Sequence, residues 1–188
     1  TITMRAIVIV VLHMLVWHAA DAEGVVGRAS VTDGDTLRIN GERIRLHGID
    51  APEIAQTCEA GGKAWRCGQL ASLALADKIG RLLVRCETFQ RDRYGRAIAI
   101  CRRGHIDLNR WMVQNGWALA YRRYSTDYVA AENEARDAGS GLWRGRFVPP
   151  WDWRRGGRLG VTSPTRTLAA SAPGSITSCC YWQGYAQK

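Results

Sequence analysis

Two short runs of alternating apolar and polar residues, Thr36 to Ile39 and Arg43 to Ile49, flank Asn40-Gly41. Alternation with a period of two predicts strands with one buried face, and Asn-Gly between such runs is the strongest short signal for a tight hairpin. Leu37, Ile39, Ile44 and Leu46 then face the core, with Thr36, Arg38, Arg43 and Arg45 on the other side. Val25 to Thr32 predicts a strand before this hairpin, and the return strand is expected over Glu42 to Ile49. Ala51 to Gly62 reads as a loop, since Pro52 blocks an early helix start. Lys63 to Ile79 predicts a helix with Leu70, Leu73, Ala74 and Ile79 as its apolar stripe, stopped by Gly80.

Leu82 to Phe89 and Ala97 to Arg102 complete a set of five strands. Asp107 is expected to cap a helix through Gln114 that turns Leu108, Trp111 and Met112 inward and ends at Gly116. Trp117 to Tyr121 reads as a short extended piece. Ser125 or Thr126 is expected to cap a last helix closing at Gly139, whose Ala131, Ala135 and Ala138 allow close packing on the sheet. One helix between the third and fourth strands and two after the fifth give an α+β chain: a small β-barrel with about three packed helices.

Composition adds a partner class and a compartment. The chain has 188 residues, enough for one domain with appendages, and its 46% hydrophobic content excludes a wholly disordered protein. A formal charge of +9 favours an anionic partner, such as nucleic acid, anionic lipid or a cell-wall polymer, without choosing among them. Arg5, the apolar run Ala6 to Trp17 and Ala20-Asp21-Ala22 have the form of a signal peptide over residues 1–22, with Met4 as the start. The run is too short for a membrane anchor, so a secreted or periplasmic protein is expected. All 6 cysteines lie beyond that segment and form no C-x-x-C pair, which argues for disulfides over zinc. Cys86 and Cys101 fall opposite each other if the hairpin centres between Arg93 and Tyr94, and Cys58 with Cys67 would close a short loop after Glu53. Cys179-Cys180 has no assigned partner. Residues 23–155 are read as the folded domain. Residues 156–188, rich in Gly, Ser, Thr and Pro, are read as a disordered tail.

The candidate chemistry sits at the ends of the first hairpin. Asp33, Asp35, Asp50 and Glu53 supply hard oxygen donors, and Arg45 supplies a guanidinium suited to phosphate. Singly, each acid is better read as a solvated turn residue. The segments Asp33-Gly34-Asp35-Thr36 and Arg45-Leu46-His47-Gly48-Ile49-Asp50-Ala51-Pro52-Glu53 occur together with Asp92-Arg93-Tyr94-Gly95-Arg96 and Gly116-Trp117-Ala118-Leu119-Ala120-Tyr121. With Gly141-Leu142-Trp143 as the domain end, this ordered set over Val26 to Trp143 resembles the staphylococcal-nuclease-like (thermonuclease) family.

The resemblance implies an OB-type five-stranded Greek-key barrel and a Ca²⁺-dependent nuclease acting on single-stranded or frayed DNA and on RNA, leaving 3′-phosphate ends. It implies Asp35, Asp50 and the Ala51 backbone carbonyl as metal ligands, where the family commonly has Thr at the Ala51 position, with Asp33 in a supporting role. Arg45, Glu53 and Arg96 would be catalytic, Glu53 orienting or deprotonating the attacking water. Tyr94, Tyr121 and Arg93 would contact the nucleotide, with Arg122 and Arg123 extending a basic groove, and the protein would act as a monomer. A non-catalytic nucleic-acid-binding barrel is the alternative, and a basic envelope protein with structural calcium a further one. His47 is read as structural.

Overall fold

The computed structural model describes residues 24–160. Five strands make the barrel: β1 (Gly24–Asp33), β2 (Thr36–Ile39), β3 (Glu42–Leu46), β7 (Leu83–Arg91) and β8 (Ala97–Arg103). They pair in the order β3-β2-β1-β7-β8, all antiparallel, and parallel pairing of β3 with β8 closes the sheet on itself. The architecture is the OB-type α+β barrel expected from the sequence. The β2–β3 turn has positive φ at both Asn40 (51°) and Gly41 (84°), the conformation an Asn-Gly hairpin demands. Leu37, Ile39, Ile44 and Leu46 are fully buried, each contributing about 1.5–3 kcal/mol of apolar burial. Thr36 departs from its expected outward position: it is buried, and its hydroxyl donates to Asp35 (3.1 Å).

The return strand is shorter than expected. His47-Gly48 turns the chain, with Gly48 at φ 71°, and Ile49–Asp50 forms a separate strand β4. Strand β4 pairs with β10 (Leu119–Ala120), the extended piece expected after Gly116. The loop after Pro52 holds an unexpected hairpin, β5 (Cys58–Ala60) with β6 (Lys63–Trp65), turned by Gly61-Gly62. This hairpin delays helix α1 to Cys67–Ile79. The buried face of α1 is Cys67, Gly68, Ala71, Leu75 and Ile79, whereas Leu70 and Leu73, expected inward, are exposed. Docking rotates the helix so that Cys67, Gly68 and Ala71, with Leu75 and Ile79, meet the barrel, and Leu70 and Leu73 face solvent.

After β8 comes β9 (Ile106–Asp107), then α2 (Leu108–Gln114), capped as expected by Asp107, whose carboxylate accepts from the Arg110 amide (2.9 Å). Leu108 and Met112 are buried, and Val113 joins them where Trp111 is only half-buried. Helix α3 (Val129–Asp137) is not capped by Ser125 or Thr126. The Ser125 hydroxyl accepts from the Asp127 amide (3.0 Å) in the preceding turn, and Tyr128 holds the cap position without a side-chain bond. Ala131 and Ala135 are buried and Ala138 is exposed; α3 packs mainly on α2. A 3₁₀ turn (Gly141–Arg144) and a fourth helix, α4 (Pro150–Arg154), complete the described chain. A satellite core of Cys58, Cys67, Leu119 and Leu142, lined by Trp65, Trp143, Phe147 and Trp151, packs beneath the Glu53 loop and the foot of α4.

Both expected disulfides are present. Cys58–Cys67 joins the β5 hairpin to the start of α1, and Cys86–Cys101 bridges directly paired positions of β7 and β8. A bulge between Thr88 and Gln90 shifts the register only on the turn side of that pair. The expected signal segment, all but residues 156–160 of the expected tail, and Cys179-Cys180 lie outside the described residues. No helix among the described residues is long and apolar enough to cross a membrane.

Candidate active site

Asp35 stands in the turn that enters β2, Arg45 on β3 directly opposite Thr36, and Asp50 at the end of β4. The register brings the three together. Arg45 donates through Nη1 to Asp35 Oδ1 and through Nη2 to Asp50 Oδ1, each at 2.7 Å. One guanidinium therefore spans two carboxylates that lie fifteen positions apart in sequence. Asp35 also accepts from the Ala51 amide through Oδ2 (3.0 Å), which fixes both of its oxygens. Asp33 stands behind: its Oδ1 accepts from the Asp35 amide (3.0 Å), holding the turn.

Burial and like charge make this an acid-rich pocket. Burial first, and then the Asp35 charge, push the Asp33 carboxyl up to about 6. Burial also raises the Asp50 pKa, with Asp35 adding to it, although hydrogen bonds and charge from Arg154 and Arg45 oppose the rise. Burial works against the Arg45 charge, but Asp35 and Asp50 outweigh it and raise its pKa. The unneutralised charge is negative, and the donors are all hard oxygens.

Such a donor set fits a hard divalent cation. Among the described residues no three His, Cys, Asp or Glu side chains gather closely enough to hold a metal unaided. Asp35 and Asp50, joined through Arg45, are the two carboxylates that stand together here, with Ala51 next in the chain and its amide on Asp35.

Glu53 lies on the loop after Pro52, 40% exposed in its side chain and open to the cleft. Its backbone is fixed from three directions. The Gln56 amide donates to the Glu53 carbonyl (2.7 Å), and the Glu53 amide donates to Gln56 Oε1 (3.3 Å). Gln56, wholly buried, donates in turn from Nε2 to the Val148 carbonyl (2.6 Å). The third constraint is Gly68 in α1, where a Cβ would overlap the Glu53 carbonyl.

Arg96 precedes Ala97, which pairs with Ile44, so it lies beside β3 and on the same barrel face as Arg45, two residues from Ile98, the partner of Arg45. Its guanidinium rests on Asp92 (2.7 Å) and does not touch the carboxylate cluster. Burial raises the Asp92 pKa, yet hydrogen bonds from the Arg96 side chain and the Arg96 and Tyr94 amides lower it overall. Tyr94 is exposed, with the Arg93 guanidinium 4.8 Å from its ring and Arg93 Nη2 donating to its hydroxyl (2.7 Å). Tyr121 follows β10, its amide on the Gly48 carbonyl (2.8 Å), with one ring face stacked on Trp151 (5.5 Å, 10°). Arg122 is spent on buried Glu132 (2.6 Å) and serves the fold, not a groove. His47 packs edge-on against Phe89 (5.5 Å), in keeping with a structural role.

Arg154, at the end of α4, was not expected in the site. It donates to Asp50 Oδ1 (3.1 Å), Asp50 Oδ2 (2.6 Å) and Glu53 Oε1 (2.8 Å). Burial opposes its charge, but the bonds to Asp50 and Glu53 prevail and raise its pKa above the ordinary arginine range. Pro149-Pro150 carried a readable signal for α4, since Pro favours the first turn of a helix. Gln56 and Gly68 carried none.

The fold and site together define an OB-type barrel with carboxylates and guanidiniums converging at one end of its sheet. The sequence profile of the staphylococcal nuclease homologue family matches residues 43–145, more than half of the chain, and the chain belongs to that family. A succinoglycan biosynthesis protein, ExoI, of Rhizobium meliloti is 40% identical over 148 residues, 74% of this chain and 76% of that protein. An uncharacterized endonuclease of Escherichia coli O157:H7 is 38% identical over 161 residues, 80% of this chain and 98% of its own. A micrococcal nuclease of Shigella flexneri is 34% identical over 170 residues, 81% of this chain and 90% of its own.

Proposed function

We propose that the chain is a Ca²⁺-dependent phosphodiesterase that hydrolyses single-stranded or frayed DNA and RNA with little sequence preference. The observation that supports this reading most directly is the joining of Asp35 and Asp50 by Arg45, with Glu53 open to water at the same end of the barrel. Asp35, Asp50 and the Ala51 carbonyl would hold the cation, and Asp33 would steady the turn behind them. A bound cation would supply Lewis acidity at a phosphoryl oxygen and offset the charge that builds there.

The chain's own residues carry the remaining steps. Arg45 and Arg96 bind the phosphoryl oxygens from two neighbouring strands, the task for which a planar guanidinium fork is suited. Glu53 orients a water molecule and accepts its proton as the water oxygen bonds to phosphorus. The P–O5′ bond breaks, O5′ takes a proton from solvent and leaves as a 5′-hydroxyl, and the phosphate stays on the 3′ oxygen. Tyr94, Arg93 and Tyr121 hold the flanking nucleotide through its phosphate and base face, contacts that read no sequence. The protein acts as a monomer over a domain of residues 23–155. Two disulfides suit a secreted or periplasmic setting.

Plasmid degradation with Ca²⁺, with chelator, and with Glu53→Gln tests this reading. Cleavage is expected with Ca²⁺, none with chelator, and a roughly 10²–10⁴-fold loss in the variant. Binding of nucleic acid without cleavage under every condition would identify a non-catalytic module instead. Cleavage indifferent to chelator and variant alike would remove the mechanism.

A further inference from the structure

Asp50 is wholly buried and already bonded to Arg45, yet it carries a second guanidinium on both of its oxygens. The side chain of Arg154 is 38% exposed and that of its other partner, Glu53, 40%. The Arg154–Glu53 pair is wet and contributes little to stability, whereas the Arg154–Asp50 pair meets a fully buried carboxylate that needs a cation beside it. Helix α4 does not depend on them for its position. Gln56 ties the preceding loop at the Val148 carbonyl (2.6 Å), Pro150 is buried, and Trp151 stacks on Tyr121 (5.5 Å). Arg154 is therefore a long, half-exposed side chain on a fixed base, resting on the oxygens of Asp50 and Glu53 that the proposed reaction requires, and it can leave Asp50 only when another cation takes its place.

The charges count the same way. Asp35, Asp50 and Glu53 carry three negative charges against the two positive charges of Arg45 and Arg154. The net is minus one. Arg45 holds only the Oδ1 atom of Asp50, and Arg154 covers the Oδ2 atom that Arg45 leaves open, so a divalent cation that takes that oxygen meets the Arg154 charge directly. The incoming phosphate offers the displaced guanidinium a bidentate partner within the same cleft.

We propose that Arg154 is a further substrate-binding residue, parked on Asp50 and Glu53 until a divalent cation displaces it, and then engaged with the phosphate of the nucleic-acid strand. The inference rests on the cation-dependent reading above. It makes α4 a wall of the substrate cleft, with the Trp151–Tyr121 stack beside the guanidinium.

Two readouts test it on the full chain. Calcium titration by calorimetry, without nucleic acid, is expected to show Arg154→Gln binding Ca²⁺ roughly tenfold more tightly than the parent, because the competing cation is gone. Arg154→Lys, which keeps the charge and loses the fork, is expected to stay within about threefold of the parent. In a Glu53→Gln background, which prevents cleavage, a fluorescent oligothymidylate in Ca²⁺ is expected to bind roughly tenfold more weakly when Arg154→Gln is added. The same addition is expected to change binding little in chelator. Thermal melting confirms that each variant is folded. If either readout is unchanged in folded Arg154→Gln, the proposal is overturned and Arg154 only ties α4 down. If the parent binds no Ca²⁺ at all, the cation-dependent function fails first and the proposal falls with it.

Discussion

Asp33 shows how one acid can cost the fold stability while serving the site. Its carboxyl is pushed up to about 6 by burial and by Asp35, from an ordinary value of 3.8. A group whose folded pKa lies above its unfolded value binds protons more tightly in the native state. Its stabilising contribution is therefore complete below pH 3.8 and is lost as pH rises through about 6. In the cation-free protein, Asp33→Asn is expected to flatten the pH dependence of urea unfolding across that window and to raise stability at neutral pH. The amide oxygen of Asn can still accept from the Asp35 amide, so the turn is kept. A variant whose curve rises and falls like the parent's across that window would show that the Asp33 charge is not the cause. Asp35, Asp50 and Glu53 were readable as candidate site residues because they lie at strand ends in a recognisable order. The partners that fix them were not: the Gln56 bonds and the Arg154 contact join positions about ninety to one hundred apart in sequence, and no local pattern encodes such a meeting.

The elements that differ from expectation lie around the Glu53 loop. The first hairpin was legible because Asn40-Gly41 and strict alternation specify both turn and register. The β5–β6 hairpin was not, because Cys58–Ala60 and Lys63–Trp65 are too short to show a period. They are stabilised by what packs beneath them and by the Glu59–Arg146 bridge. That hairpin sets the start of α1 at Cys67, and so the rotation that brings Gly68 against Glu53. Gly68→Ala is expected to push the loop outward. It should cost about 1–3 kcal/mol of stability and lower cleavage more than a matched substitution such as Ala74→Gly. Urea unfolding and the plasmid assay read the two effects, and wild-type activity in Gly68→Ala would show that the loop yields without consequence. The Cys58–Cys67 bond reinforces the same contact. Closing so short a loop contributes about 2–3 kcal/mol in the chain-entropy model.

At the scale of the molecule, net charge of +9 and the paired strands β3 and β8 set how nucleic acid is met. In the proposed reading the exposed Arg93–Tyr94 pair touches the strand through phosphate and base face. For single strands, the logarithm of affinity falls against the logarithm of salt by about 0.7 per phosphate neutralised. Arg93→Gln is expected to make that slope shallower by about 0.7 in oligothymidylate binding while leaving the melting temperature unchanged. An identical slope would remove Arg93 from the interface. The barrel itself followed from alternation and turn chemistry. Its closure did not, because the parallel β3–β8 seam joins residues about fifty apart that no hairpin connects.

That seam has a kinetic meaning. Arg45 and Arg96 become neighbours only when the two ends of the sheet zip together, and Asp50 and Glu53 are tied to Arg154 only once α4 has docked. No hairpin or half-barrel owns enough of these groups to cut anything. Becoming folded and becoming armed are thus a single event, and in a denaturant titration the loss of cleavage should superimpose on the loss of circular dichroism.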